Sequence, residues 1–580
     1  RTKAGTAIGL VTKIGSGVLI VTTSFALPAE ALTNIYTNAC SLRSGFAATV
    51  EAPTQAQPGI VPVKVTVKNV SERGIALRLH VRLLNDSGEV VSSNAPKTLR
   101  IEPFSAASLQ EDVECRARGR FTITVGCATG DWQNDRYAVR ELLVPPLAQI
   151  RLPRTVFLRS EPTAFSLRLV PAQGGRVSSS VCIRDEAGRS VWEETATATA
   201  PGDININAGR LRPGRYKVAV VAEDALRERK RAESTATFEV ADVDRPALIT
   251  SAGPGGQILL NGQPVFLLGT YHVGLRDLAR VKQLGFNCVT GPIYGGEQTE
   301  LTRDQLAWHD EAHRQGLWVI TELSEYVRGG RRNYEQARAM VSRLRLHPAT
   351  LAHYVIDEPA GGVHPEVVAA HTKTVREADP DHITLIVEVP SAAPAVAGIA
   401  DATGTDPYLI TFGIPRSLAW VGSSVRALAQ AVPGRPVLGV IQAHRLPPPH
   451  PDHRYPTPEE LRCMAYLALN NGAKGLLFYA WGDEYRTDAG PWPSGFAFSP
   501  ELQEAFARLN AELAVVGLYY VSGELHRDQI TVEPADVPLD VAWISGPQGR
   551  TLVVVNPTAN PVKSLVHSPA GRIEKEFAPS

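Results

Sequence analysis

The feature that most constrains this 580-residue chain is a change of pattern near residue 246. Beyond it, short apolar runs alternate with stretches of helical character: Phe266–Tyr271, Phe286–Gly291, Leu317–Leu323, Leu351–Ile356, Ile383–Glu388, Ala402–Asp406, Pro436–Gln442 and Gly475–Trp481. Runs that are apolar throughout read as strands covered on both faces, and strands alternating with helices build parallel sheets. Eight such units over roughly 275 residues predict a (β/α)8 barrel, a fold that typically needs ~250 residues. A doubly wound sheet is the competing topology, but no glycine-rich dinucleotide or phosphate loop follows any of these strands.

The residues before the barrel follow a different rule. Between 32 and 245 the runs are short and alternating, as in Val61–Lys68, and turn residues interrupt them every 8 to 12 positions or so, the pattern of β-sandwich modules. A weak repeat divides the region: Asn85–Val91 resembles Asp185–Val191, and Gly119–Val125 resembles Gly214–Val220. Two Ig-like β-sandwiches are therefore expected, over 32–146 and 147–245, ahead of a barrel over 246–525 and a short C-terminal β segment over 526–580. Residues 1–31 read as an export signal: Arg1, Lys3 and Lys13 precede the uncharged stretch Ile14–Ala29 and an Ala29-Glu30-Ala31 cleavage pattern. The stretch is short for a bilayer span, and no other segment is apolar for long enough to make one. The expected location is therefore periplasmic or secreted.

Composition narrows the partners. Fifty-nine basic and 59 acidic residues cancel, which leaves no basic footprint for nucleic acid and no polybasic membrane patch. The six cysteines form no C-x-x-C pair. Cys115 and Cys127 are spaced either for a disulfide or as two small buried hydrophobes.

In a (β/α)8 barrel the working groups stand at the C-terminal ends of the strands. Here those ends carry Tyr271-His272, Tyr294, Glu322, Asp357-Glu358-Pro359, Glu388, Asp406-Pro407-Tyr408, Gln442, and Tyr479 with Trp481. Carboxylates can protonate a glycosidic oxygen and balance an oxocarbenium-like charge, while aromatic faces stack on sugar C–H edges. Glycoside hydrolysis is the reaction that suits this set, and it needs no cofactor and no metal. The His309–His313 pair lacks the order of the zinc motifs, and no G-x-S-x-G elbow is present. The loop after His444, with His450 and His453 among prolines, reads as a rim or lid. Arg328, Arg331 and Arg332 read either as a recognition site for an acidic sugar or as a solvated charge run.

Gly256–His272, Leu284-Gly-Phe-Asn287, His353–Pro359, Pro456–Leu461 and Asn471–Trp481 together resemble the catalytic barrels of the glycoside hydrolase clan A superfamily. That resemblance implies Glu358 as general acid/base; Asp357 beside it is a further catalytic candidate. Because neighbours along a strand point to opposite sides, only one of these two is expected to face a pocket. The resemblance also implies a glutamate nucleophile at the end of the seventh strand, where this sequence has Gln442. An amide cannot form a glycosyl bond in that way. Three schemes remain open: Asp406 or Glu388 as nucleophile or base; a substrate-assisted N-acetylhexosaminidase using the Asp357-Glu358 pair, with Tyr408 or Tyr479 holding the acetamide; or a barrel that only binds glycans. The substrate-binding candidates are Tyr271, His272, Tyr294, Glu322, Glu388, Tyr408, Gln442, Tyr479 and Trp481.

Overall fold

A computed structural model describes residues 9–14, 17–22, 46–85, 89–128, 136–172, 174–224, 231–410, 417–447, 454–487 and 490–579. The chain divides into two compact units, Arg1–Leu152 with Glu161–Asp242, and Pro153–Ser160 with Val243–Ser580.

The first unit contains two β-sandwiches. In one, Phe46–Glu51, Gly59–Asn69 and Ala106–Cys115 form a sheet. It faces a second sheet made of Ile75–Asn85, Val90–Ser93, Lys97–Ile101, Gly119–Ala128 and Arg136–Val144. Strict alternation along Gly59–Asn69 buries Val61, Val63, Val65 and Val67, which meet Leu77, Leu79, Val81, Ile123 and Val125 from the opposite sheet. Each fully buried aliphatic side chain stabilises this core by about 1.5–3 kcal/mol. Cys115 and Cys127 are both buried within it. The other sandwich pairs Ala148–Arg151, Ala164–Leu169 and Gly202–Asn207 against a sheet that includes Val177–Asp185, Ser190–Ala198, Gly214–Asp224 and Arg231–Ala241. Gly9–Ile14 and Gly17–Thr22 pair as a hairpin within the stretch read as an export signal; residues 1–8 and 23–31 lie outside the described residues.

The second unit is built on a closed parallel barrel of β1 (Leu267–Thr270), β2 (Cys288–Gly295), β3 (Trp318–Glu325), β4 (Thr350–Asp357), β5 (Ile383–Glu388), β6 (Ala402–Thr405), β7 (Val437–Gln442) and β8 (Gly475–Tyr479). Leu267–Thr270 lies beside Gly475–Phe478 and closes the ring. Its interior is filled by residues such as Cys288, Ile320, Tyr354, Leu385, Leu438 and Leu477, so the barrel is a packed core rather than a channel. Three short strands over Thr250–Val265 stand at the N-terminal end, where the Thr250 hydroxyl donates to the Leu351 carbonyl and accepts from the Ile383 amide.

Helices α1 (Leu278–Gln283), α2 (Arg303–Arg314), α3 (Tyr334–Leu344), α4 (Pro365–Ala378), α5 (Ala393–Val396), α6 (Ala419–Ala431), α7 (Pro458–Asn470) and α8 (Pro500–Ser522) follow the strands in order. Capping boxes, Thr302 with Gln305 and Thr457 with Glu460, start α2 and α7. No described helix is long and apolar enough to cross a membrane. Pro153–Ser160, next to the second sandwich in sequence, clusters with the barrel: Arg338 of α3 donates to the Pro153 carbonyl, and the Thr155 amide donates to Ser342. Six strands between Glu524 and Phe577 form two small sheets. They dock on α7 through Asp540, which accepts from Asn470, Asn471 and Arg527.

Candidate active site

A cavity of about 260 Å³ opens among residues at the C-terminal ends of β4, β6 and β8. Asp357, Glu358 and Asp406 line it, with Tyr271, Tyr408, Tyr479 and Tyr485 as walls and Val387, His444 and Leu446 completing it.

Both members of the Asp357-Glu358 pair reach this cavity, contrary to the expectation from strand alternation. The cause is local backbone geometry. The register of β4 on β5 slips between Tyr354 and Ile356, so that Asp357 comes opposite inward-facing Val387. Glu358 then adopts a left-handed conformation (φ 41°, ψ 57°) with its amide bonded to the Val387 carbonyl, ending the strand and turning its side chain inward.

Asp357 is held from several sides. The Tyr354 hydroxyl donates to Oδ1, Arg328 Nη2 donates to Oδ2 at 3.1 Å and to the carbonyl at 2.6 Å, and the Asp357 amide donates to Ser324. Arg328 is therefore committed to Asp357, and Arg331 pairs with Glu325 at 2.8 Å. Glu322 sits in the same inward layer, where burial and the Asp357 charge push its carboxyl above the usual range.

Asp406 is only 5% exposed, whereas Glu358 is exposed. Burial first, then a hydrogen bond to Glu358 and the charges of Glu358 and Asp357, push the Asp406 carboxyl up to about 9. The two groups lie within hydrogen-bonding reach, and the buried Asp406 carboxyl is the one pushed toward its protonated form. Asp406 Oδ1 has no hydrogen-bond partner.

The aromatic walls pack against one another at tilted angles. Tyr479 lies 5.3 Å from Tyr271 and 5.8 Å from Tyr408 between ring centroids. Burial and the neighbouring carboxylates keep all three phenols protonated, as neutral hydrogen-bond donors. Burial pushes His444 down to about 4, so its ring is a neutral dipole. His272, with a left-handed φ of 56°, pairs with Asp483; burial opposes its charge, but Asp483 raises its pKa overall.

Other predicted residues are not brought together here. Tyr294 is completely buried on the outer side of β2, bonded to His309 of α2, because register shifts between Thr290 and Gly295 turn it away from the cavity. Trp481 packs edge-on against Phe496, its indole donating to Asp277. Glu388 accepts from the Ala360 and Val389 amides and so braces the turn carrying Glu358. Gln442 is buried, accepting from the Ile410 amide and donating to the His444 carbonyl. Asp483 and Tyr485 lie outside the strand-end residues that the sequence singles out: both follow β8, Tyr485 on a small hairpin, and only the Gly482-Asp483 turn dipeptide hints at them. His450 and His453 lie outside the described residues.

Among the described residues, one group, His353, Asp379 and His382, has ligand atoms mutually within 4.8 Å. It lies away from the cavity, and Asp379 is already satisfied: it accepts from both imidazoles at 2.7 and 2.8 Å and from two backbone amides, with Arg345 at 3.8 Å.

No protein-family model and no curated protein matches the sequence. Among solved structures, a GH2 β-galacturonidase from Eisenbergiella tayi bound to galacturonate is 14% identical, with 87% of this chain and 98% of that chain covered at a TM-score of 0.37. A β-glucuronidase from Ruminococcus gnavus in complex with D-glucuronic acid is 12% identical, covering 78% and 88% at 0.34. Bacteroides uniformis β-glucuronidase 3 is 12% identical, covering 89% and 77% at 0.33. Likeness at this level leaves every inference about chemistry to the residues themselves.

Proposed function

We propose that the protein is an exported glycoside hydrolase acting on a poly- or oligosaccharide by general acid/base catalysis, with Glu358 delivering the proton and Asp406 as its partner. One observation carries this reading: an exposed carboxyl group, Glu358, and a buried one, Asp406, which burial and that neighbour push up to about 9, stand side by side inside a tyrosine-walled cavity. Cleavage needs one proton for the leaving oxygen and negative charge near the anomeric carbon as the C–O bond breaks. A singly protonated pair supplies both. The proton passes through solvent-facing Glu358 to the glycosidic oxygen, and the doubly ionised pair then faces the oxocarbenium-like centre. Water adds to the anomeric carbon and returns its proton to the pair, which restores the starting state. The two groups are within hydrogen-bonding reach of each other, so the reading rests on that pairing rather than on a stereochemical class.

A second reading is favoured by Asp357. Fixed by Arg328 and Tyr354 and turned into the cavity, it is an acceptor suited to orienting an acetamido N–H, as a substrate-assisted N-acetylhexosaminidase requires.

A panel of aryl glycosides assayed with wild type and Glu358→Gln tests both. Turnover that Glu358→Gln reduces by ~10²-fold or more supports the assignment; turnover the variant retains refutes it. Activity confined to N-acetyl compounds selects the substrate-assisted scheme. Sugar binding without any turnover makes the protein a carbohydrate-binding one.

A further inference from the structure

The cavity is acidic, and Arg328, Arg445 and His272, the cations described around it, are already paired. Three carboxyl groups line it, whereas no lysine or arginine among the described residues does. His444 is neutral in this setting. Each cation close by has another task. Arg328 is bonded to Asp357 and lies 4.0 Å from Glu325. Arg445 lies between the rings of Tyr455 and Trp492, 4.8 and 4.7 Å away, and donates to the Pro493 carbonyl. His272 is paired with Asp483. Asp406 Oδ1, on a residue 95% buried, presents an acceptor with no donor to meet it.

An acidic sugar bound here would bring its carboxylate against Asp357 and Glu358, and among the described residues no lysine or arginine lines the cavity to pair with it. Buried charge without a partner is costly, and like-charge contact is a strong means of rejecting a ligand. Hydroxyl and ammonium groups are donors, and the Asp357 and Glu358 carboxylates and Asp406 Oδ1 offer them acceptors. We infer that the cavity takes an uncharged or amino-bearing glycosyl residue, prefers the amine, and excludes uronates. The inference rests on the carbohydrate reading of this cavity and adds the substrate's charge class.

Titration calorimetry on the full chain at pH 7 and low salt, with glucosamine, glucose and glucuronate and with galactosamine, galactose and galacturonate, tests it. The expected order in at least one series is amine over neutral sugar over uronate, with the uronate weaker than the neutral sugar by roughly tenfold or more. Added salt should narrow the gap between amine and uronate, and Asp357→Asn should narrow it further. A uronate that binds as well as or better than its neutral counterpart overturns the inference while leaving the site a sugar site. Failure of all six sugars to bind overturns the carbohydrate reading itself, and the inference with it.

Discussion

At the scale of single residues, Asp406 decides how the site responds to pH. Folded, it keeps its proton up to about 9, whereas an unfolded aspartate loses it near pH 4. Between these values the folded chain holds a proton that the unfolded chain has released, so the contribution of this group to stability falls as pH rises through that window. Removing the titration should reverse the effect. Asp406→Asn is expected to melt higher than wild type at pH 7 to 8, by an amount corresponding to a few kcal/mol, and to converge with it near pH 4. Calorimetry across that pH range checks the sign. The same proton should limit catalysis: wild-type kcat/KM should fall as pH rises through about 9, and in Asp406→Asn that limb should shift or vanish. The candidates at this scale were visible in the sequence as carboxylates and tyrosines at strand ends. Their pairing was not, because a one-residue slip between β4 and β5 and one left-handed residue override strand alternation.

At the scale of elements, α8 shows tertiary packing prevailing over local propensity. A Cβ added to Gly517 would lie 2.2 Å from the Phe266 ring, which precedes β1. Alanine normally stabilises a helix interior by about 1 kcal/mol over glycine. Here Gly517→Ala is expected to lower stability by about 1–3 kcal/mol, because the helix must lift off the barrel. Chemical denaturation of the variant measures the balance. The C-terminal sheets hang on a comparable polar contact. Asn470 and Asn471 are buried and donate to Asp540, so Asp540→Ala leaves two buried amides without that acceptor. A loss of about 2–4 kcal/mol is expected in the same assay, with Asp540→Asn recovering part of it. Apolar runs placed all eight barrel strands correctly in the sequence. They gave no hint of which glycine or amide would meet which neighbour, since those contacts join positions far apart in the chain.

At the scale of the molecule, two compact units predict more than one thermal transition, because separate cores unfold with separate cooperativity. A sugar bound in the barrel cavity should raise the transition of the Val243–Ser580 unit and leave the other in place, which calorimetry with and without ligand can read. Periodicity by itself determined the architecture: period-two alternation specified sandwiches, and buried strands alternating with helices specified the barrel. These are short-range patterns set by which face each element must bury. The sequence also put carboxylates and tyrosines at the strand ends that a barrel gathers on one face. Only the tertiary structure decided that Tyr294 and Trp481 turn outward, that Gln442 serves the backbone, and that Asp406 meets Glu358. Side-chain direction at a strand end depends on register against the next strand, and the charge of a carboxyl depends on what surrounds it. Both are set by residues distant in sequence.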